Sequence, residues 1–310
     1  MPIILSNDLP APWVLEAEAI AALTASEAAR QDIRPLRVLL IDLLPHTLSF
    51  AGPVARFLAN SPLQIHLTIA HLDDIGGLAN DGGVLPGSRA FRSIQEERFD
   101  ALVVSDLPGD PLRGPTWDAL RDALDWSLDH VHAAFYLGGS AAAGLAHFYG
   151  ITPRTLSEPL VGLHTQRIRR RQSYLLRGLD EAFVVPVRRG WTLDEEDLAD
   201  VPWLEILADS PTSGPYLVRN RSRRQVFATN LPTHEPVHLR ADLKAAGKEP
   251  GREEDSRWRA HAQVLFGNWL NNYVYQTSPH ELEQLVPLAI PWIGGRKPHQ
   301  SHGNPGVVAP

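Results

Sequence analysis

Along the first half of the chain, short β-branched and leucine-rich runs alternate with stretches whose apolar residues return every three or four positions. "PLRVLLIDLL" (35–44), "LQIHLTIA" (63–70), "FDALVVSDL" (99–107) and "VHAAFYL" (131–137) are mainly apolar and bounded by turn residues, as expected of buried strands. Between them, "SFAGPVARFLAN" (49–60) and "PTWDALRDALDWSLDHV" (115–131) have helical spacing, with Trp117, Leu120, Leu124 and Leu128 on one face of the second. This alternation predicts βαβ units around a mostly parallel open sheet flanked by helices, an α/β fold. Past residue 160 the runs "AFVVPV", "WLEILA", "PYLVRN" and "RQVFATN" are shorter and separated by turn residues, so they predict hairpins that extend the sheet in antiparallel fashion. An aromatic helix is expected over 256–276, its Trp258, Trp269, Tyr273 and Tyr275 serving the core. Residues 1–288 then form a single domain, and the Pro-, Gly- and His-rich stretch 289–310 is expected to be a flexible tail.

Composition narrows the function classes. The 310 residues are 44% hydrophobic and 21% charged, enough apolar material for a substantial core. A net charge of −7 argues against nucleic acid as a partner. The one basic run, Arg167 with Arg169, Arg170 and Arg171, reads as a solvated edge or an anion site. No cysteine is present, which excludes disulfides, thiolate metal sites and a cysteine nucleophile. No basic leader followed by a long apolar segment opens the chain, and no run approaches the roughly 18 apolar residues of a membrane span, so a cytoplasmic location is the expectation.

Ligands of open parallel sheets bind at the carboxyl ends of the strands. At the end of the fourth run, "YLGGSAAAGLAHFYG" (136–150) lacks G-x-G-x-x-G spacing but suits a nucleophile elbow, because Gly138, Gly139, Ala141 and Ala142 keep both sides of Ser140 small. Ser140 is therefore either a nucleophile or simply the N-cap of the helix that begins there. Further along, "TNLPTHEPVH" (229–238) offers His234 and Glu235 as a base and a supporting carboxylate, although neighbours in an extended chain point to opposite sides. His234 and His238 are spaced i, i+4, yet Pro236 intervenes and no third ligand is evident, so no metal site is predicted.

At this point the residues carry a resemblance. "MPIILSNDLPA", "QDIRPLRVLLIDLLP", "FLANSPLQIHL", "LDWSLDHV", "GLAHFYGI", "LLRGLDEAF" and "WRAHAQVLFGNWLNNYVYQTSPHEL" together resemble the homoserine O-acyltransferase family of the homoserine O-succinyltransferase (transsuccinylase) type, from residue 1 to about 288. The resemblance implies a fold like that of class I glutamine amidotransferases and a homodimer. It also implies acyl transfer from an acyl-CoA (acetyl- or succinyl-CoA) to homoserine through a cysteine thioester served by a His and a Glu. Laid on this chain, however, the family's cysteine falls on Gly138, its His on Leu231 and its Glu on Thr233, with Pro232 alone retained. The family's paired lysines become His46 and Thr47, and its Thr-Gly-Ala-Pro turn becomes Ser105-Asp106-Leu107-Pro108. The Ser-Arg pair that in the family helps hold the amino acid becomes Arg188-Arg189.

Glycine cannot form an acyl-enzyme, and leucine and threonine cannot relay its proton. Several readings stay open. One is an acyltransferase whose nucleophile is Ser140, with His234 as base and Glu235 or Asp106 in support; another is direct transfer between aligned substrates. The others are a catalytically silent ligand-binding or regulatory homologue and a repurposed enzyme of specialised metabolism. In all of them Gly138, Gly139, Arg189, Asp106 and His46 are the expected substrate contacts, with no bound cofactor, metal, nucleic acid or membrane.

Overall fold

The computed structural model describes residues 3–5, 22–23, 25–28, 30, 33–44, 51–73, 85–249 and 258–290. Twelve strands among them form one sheet: β1 (Ile3–Leu5), β2 (Ala22–Leu23), β3 (Leu36–Ile41), β4 (Ile65–His71), β5 (Arg89–Ala90), β6 (Phe99–Val104), β7 (Val131–Leu137), β8 (Arg154–Ile168), β9 (Ala182–Thr192), β10 (Leu204–Ser210), β11 (Gly214–Asn220) and β12 (Gln225–Ala228). The order is β2-β1-β4-β3-β6-β7-β12-β11-β10-β8-β9, with β5 beside β4. Pairing is parallel from β2 through β12 and antiparallel from β12 through β9, so the parallel sheet and its antiparallel extension are both as expected. Two details differ. The run "RQVFATN" supplies β12, which lies parallel to β7 on one side and begins the antiparallel part only on the other. The 15-residue β8 has no apolar run to announce it, because most of its side chains are exposed or only partly buried.

The helices are α1 (Ala25–Ala28), α2 (Ala51–Ala59), α3 (Pro115–His130), α4 (Gly139–Tyr149), α5 (Glu195–Ala199), α6 (Pro236–Ala245) and α7 (Arg259–Trp269), the last running on as a π-helical stretch, Leu270–Tyr275. Side chains that alternate along the strands feed two cores. Val38, Leu40, Val103 and Phe135 meet α2 and α7 on one face, while Leu39, Ile41, Leu102 and Tyr136 meet α3 and α4 on the other. Burial on both faces explains why β3, β6 and β7 read as almost unbroken apolar runs. In the aromatic carboxyl-terminal helix Trp258, Trp269 and Tyr273 are core residues and Tyr275 is exposed. The basic run is solvated and paired: Arg169 meets Glu195 and Asp209, Arg170 meets Glu205, and Arg171 meets Glu181. No helix among the described residues is long and apolar enough to cross a membrane. Residues 291–310, most of the expected tail, and His46 with Thr47 lie outside the described residues.

Candidate active site at the β7–α4 elbow

β7 ends at Leu137 and the chain turns into α4 through Gly138, whose φ of 60° and ψ of −127° give the sharp strand-to-helix elbow. The turn is held by Gly138 N–H, which donates to the Ala228 carbonyl at the end of β12 (2.7 Å). Gly139 packs directly on the loop after β6, where a Cβ would stand 2.0 Å from the Leu107 carbonyl oxygen. Three carboxyl ends therefore meet here, those of β6, β7 and β12, as expected for a ligand site in an open sheet.

The elbow's most forward position is filled by a carboxylate. Asp106, in the loop after β6, accepts a hydrogen bond from Gly139 N–H at the start of α4 (2.7 Å) through Oδ1 and one from Arg188 Nη2 on β9 (3.1 Å) through Oδ2. A Cβ on Gly138 would stand 2.1 Å from Asp106 Oδ1 and 2.7 Å from Leu231 Cδ2. Burial pushes the Asp106 carboxyl above the ordinary carboxylate range, and Arg188, the Gly139 N–H and His234 pull the other way without cancelling it.

Ser140 is fully buried and turned away from the elbow's front. Its Oγ accepts from Leu137 N–H (3.0 Å), and its hydroxyl proton lies between the carbonyls of Leu137 (2.9 Å) and Val104 (3.2 Å). It ties the first turn of α4 to the ends of β6 and β7. The N-cap is Gly138, with no side-chain cap bond, so Ser140 is not the N-cap the sequence suggested.

His234 Nε2 donates to Asp242 Oδ2 (2.8 Å), and its Nδ1 is buried without a partner. Asp242 lies 3.6 Å from Arg188 Nε, so one chain of contacts runs from His234 through Asp242 and Arg188 to Asp106. Glu235 is engaged elsewhere, between Arg56 of α2 and Arg259 of α7. Burial raises its carboxyl, but the two guanidinium groups outweigh that and hold it below the ordinary range. The relay from Ser140 through His234 to Glu235 is thus not formed: the serine's bonds are all to backbone, and the glutamate is a tie between helices. The group that meets His234, Asp242, escaped sequence reasoning because it sits eight residues away in the second turn of α6.

Beside the elbow opens a cleft of about 430 Å³, walled by the loop from Asp106 to Arg113 and by the end of β9 from Arg188 to Trp191. Arg189 in that wall is only 6% exposed, and its partners are the carbonyls of Thr229 (3.2 Å) and Ser213 together with the Trp191 ring, 4.8 Å away. Burial pulls its guanidinium down to about 9, which leaves it a cation at neutral pH. No carboxylate among the described residues pairs with it. Asn230, whose amide is fully buried, and Thr233 contribute further buried polar atoms without partners in the loop after β12. Such atoms are rare in folded proteins. No three His, Asp or Glu side chains among the described residues are grouped to hold a metal ion.

A family model described as homoserine O-succinyltransferase matches residues 2–280. The chain belongs to the homoserine O-succinyltransferase family. A homoserine O-acetyltransferase of Desulfitobacterium hafniense is 32% identical over 304 residues, 92% of this chain and 99% of that relative. A homoserine O-succinyltransferase of Shewanella baltica is 31% identical over 311 residues, 94% and 99% of the two chains. In three dimensions the fold is similar to a glutamine amidotransferase from Thermotoga maritima, with a TM-score of 0.56 at 12% identity over 78% of this chain and 99% of that one. A glutamine amidotransferase from Methylobacillus flagellatus gives a TM-score of 0.53 at 10% identity, covering 81% of this chain and 99% of that one. The class I glutamine amidotransferase-like fold expected from the resemblance is the fold observed. The elbow and the cleft beside it are where four of the residues expected from the sequence to contact substrate, Gly138, Gly139, Asp106 and Arg189, lie.

Proposed function

We propose that this protein transfers an acyl group from an acyl-CoA directly to the side-chain hydroxyl, or the amine, of homoserine or a related amino acid, with no acyl-enzyme intermediate. The observation that carries this reading is Arg189: a buried guanidinium in a cleft wall, with only carbonyl and aromatic partners, is matched by the carboxylate of an amino acid. By the resemblance the family triad would fall on Gly138, Leu231 and Thr233, which cannot perform it; the chain has no cysteine, and the Ser140 hydroxyl is committed to the backbone. Direct transfer needs only that the two substrates be held together, and alignment of reactants supplies a large part of the acceleration in such reactions. A cytoplasmic location and a homodimer belong to the same proposal, as expectations from the family.

The second reading is a catalytically silent, amino-acid-binding or regulatory homologue. It is favoured by one specific observation, that Asp106 Oδ1 and Leu231 fill the space in front of Gly138. The deciding experiment incubates the purified protein with acetyl- or succinyl-CoA, with and without homoserine or serine, and follows free CoA and the intact mass of the protein. Direct transfer predicts CoA release that depends on the acceptor, and no mass gain when the acceptor is withheld. An acyl adduct on the protein would return the argument to a covalent route. Binding of the acceptor with no CoA release would establish the silent homologue.

A further inference from the structure

We infer that Asp106 is the general base of this site: it stands in the nucleophile's place and takes the proton of the acceptor as the acceptor attacks the thioester. The inference rests on the direct-transfer reading and adds to it the group that moves the proton.

Three observations carry it. First, position: the carboxylate is the side chain nearest the elbow, since its Oδ1 lies 2.1 Å from where a Gly138 Cβ would be, and it also forms part of the cleft wall near Arg189. An amino acid whose carboxylate pairs with Arg189 would occupy the cleft that Asp106 also lines. Second, fixation: Oδ1 is held by Gly139 N–H and Oδ2 by Arg188 Nη2, so the carboxylate cannot rotate away, while each oxygen retains a lone pair for a third partner. Third, the substitutions that resemblance assigns to the family's Gly, Cys, Ser and His positions touch one another here as Asp106, Gly138, Arg188 and Leu231. A carboxylate entering the elbow needs a glycine to make room and a cation to offset its burial, and both are present. Burial raises its proton affinity above that of an ordinary carboxylate, the direction that makes it a stronger base.

The charged groups that face it are Arg188 from β9, His234 from the loop after β12 and the amide end of α4, with Asp242 of α6 beyond Arg188. Of the other titratable groups of the set, Asp242 is taken up by His234 and Arg188, while His234 has Nε2 bound to Asp242 and Nδ1 buried; neither residue is part of the cleft wall. In the reaction the acceptor's O–H proton passes to an Asp106 oxygen as the acceptor oxygen bonds the thioester carbon. The carbon–sulfur bond then breaks, and the departing CoA thiolate takes that proton back, leaving Asp106 ionised for the next turnover.

The test compares the wild type with Asp106→Asn and Asp106→Glu, reading kcat and KM for acceptor-dependent CoA release across pH, homoserine affinity by calorimetry, and thermal unfolding. The expected result is a fall in kcat of about 100-fold or more for the Asn variant, with homoserine affinity within about threefold of wild type. The wild-type rate should rise with pH through one ionisation that the Asn variant lacks, and the Glu variant should recover part of kcat. A folded Asn variant with near-wild-type kcat and an unchanged pH profile overturns the inference while leaving direct transfer standing. A wild type that binds homoserine but releases no CoA overturns both.

Discussion

Placing a cysteine where the family resemblance puts the nucleophile tests whether the elbow has been rebuilt around Asp106. In Gly138→Cys the new Cβ would lie 2.1 Å from Asp106 Oδ1, 2.8 Å from Asp106 Cγ and 2.7 Å from Leu231 Cδ2, all far inside contact distance. The backbone there, φ 60° with ψ −127°, is a sparsely populated conformation that costs a side chain on the order of 1–2 kcal/mol. Forcing atoms into filled space adds about 1–3 kcal/mol. The expected destabilisation is about 2–5 kcal/mol, seen as a drop in Tm on the order of 5–15 °C. The clash is with a side chain that can itself be removed, so Gly138→Cys combined with Asp106→Gly should be more stable than the two single effects predict, by about 1–3 kcal/mol of coupling. Thermal unfolding of the four proteins measures the cycle, and intact mass after incubation with acetyl-CoA reports thioester formation, expected to be absent in the single cysteine variant. Strict additivity, or a single Gly138→Cys that melts with the wild type and acquires an acyl group, would refute the view that Asp106 occupies the nucleophile's place.

Three further outcomes are expected. Ser140→Ala strips the acceptor from the buried Leu137 N–H and should cost about 1–3 kcal/mol in denaturant unfolding while leaving CoA release per folded molecule unchanged; loss of activity without loss of stability would restore the serine as nucleophile. Arg189→Met should weaken homoserine binding about tenfold or more in calorimetry without lowering Tm, because a buried cation with no acidic partner is itself a burden on the fold; unchanged binding would remove the carboxylate contact. Glu235 is held below its ordinary value of 4.5 by Arg56 and Arg259 against the opposing pull of burial, so its stabilisation is complete above that value and fades as pH falls through the lower folded one. Glu235→Gln should therefore be less stable than wild type near neutrality and should converge with it in acid, as followed by Tm against pH; parallel curves would contradict the tie.

What the chain order alone could reveal was whatever depends on periodicity and local turns. The buried runs of β3, β6 and β7 are apolar because both faces are covered, and such runs are recognisable without knowing what covers them. The elbow was likewise legible, since a strand passing into a helix at close quarters requires the small residues Gly138 and Gly139. The mostly exposed β8 was not, because a strand held by backbone pairing to β9 and β10 needs no apolar pattern. The site divides along the same line. Spacing offered Ser140, His234 and Glu235 as a triad, since hydroxyl, imidazole and carboxylate lie near one another or near a strand end. Tertiary packing gave each a different partner: the backbone of β7 for Ser140, Asp242 for His234, and two arginines from separate helices for Glu235. It also brought together Asp106 and Arg188, 82 positions apart, at the one glycine that leaves room for a carboxylate. Sequence determines which groups are available and which stretches can form strands or an elbow. Hydrogen bonds and ion pairs are made at contact distance, so which groups act together was decided only when distant strands were laid side by side.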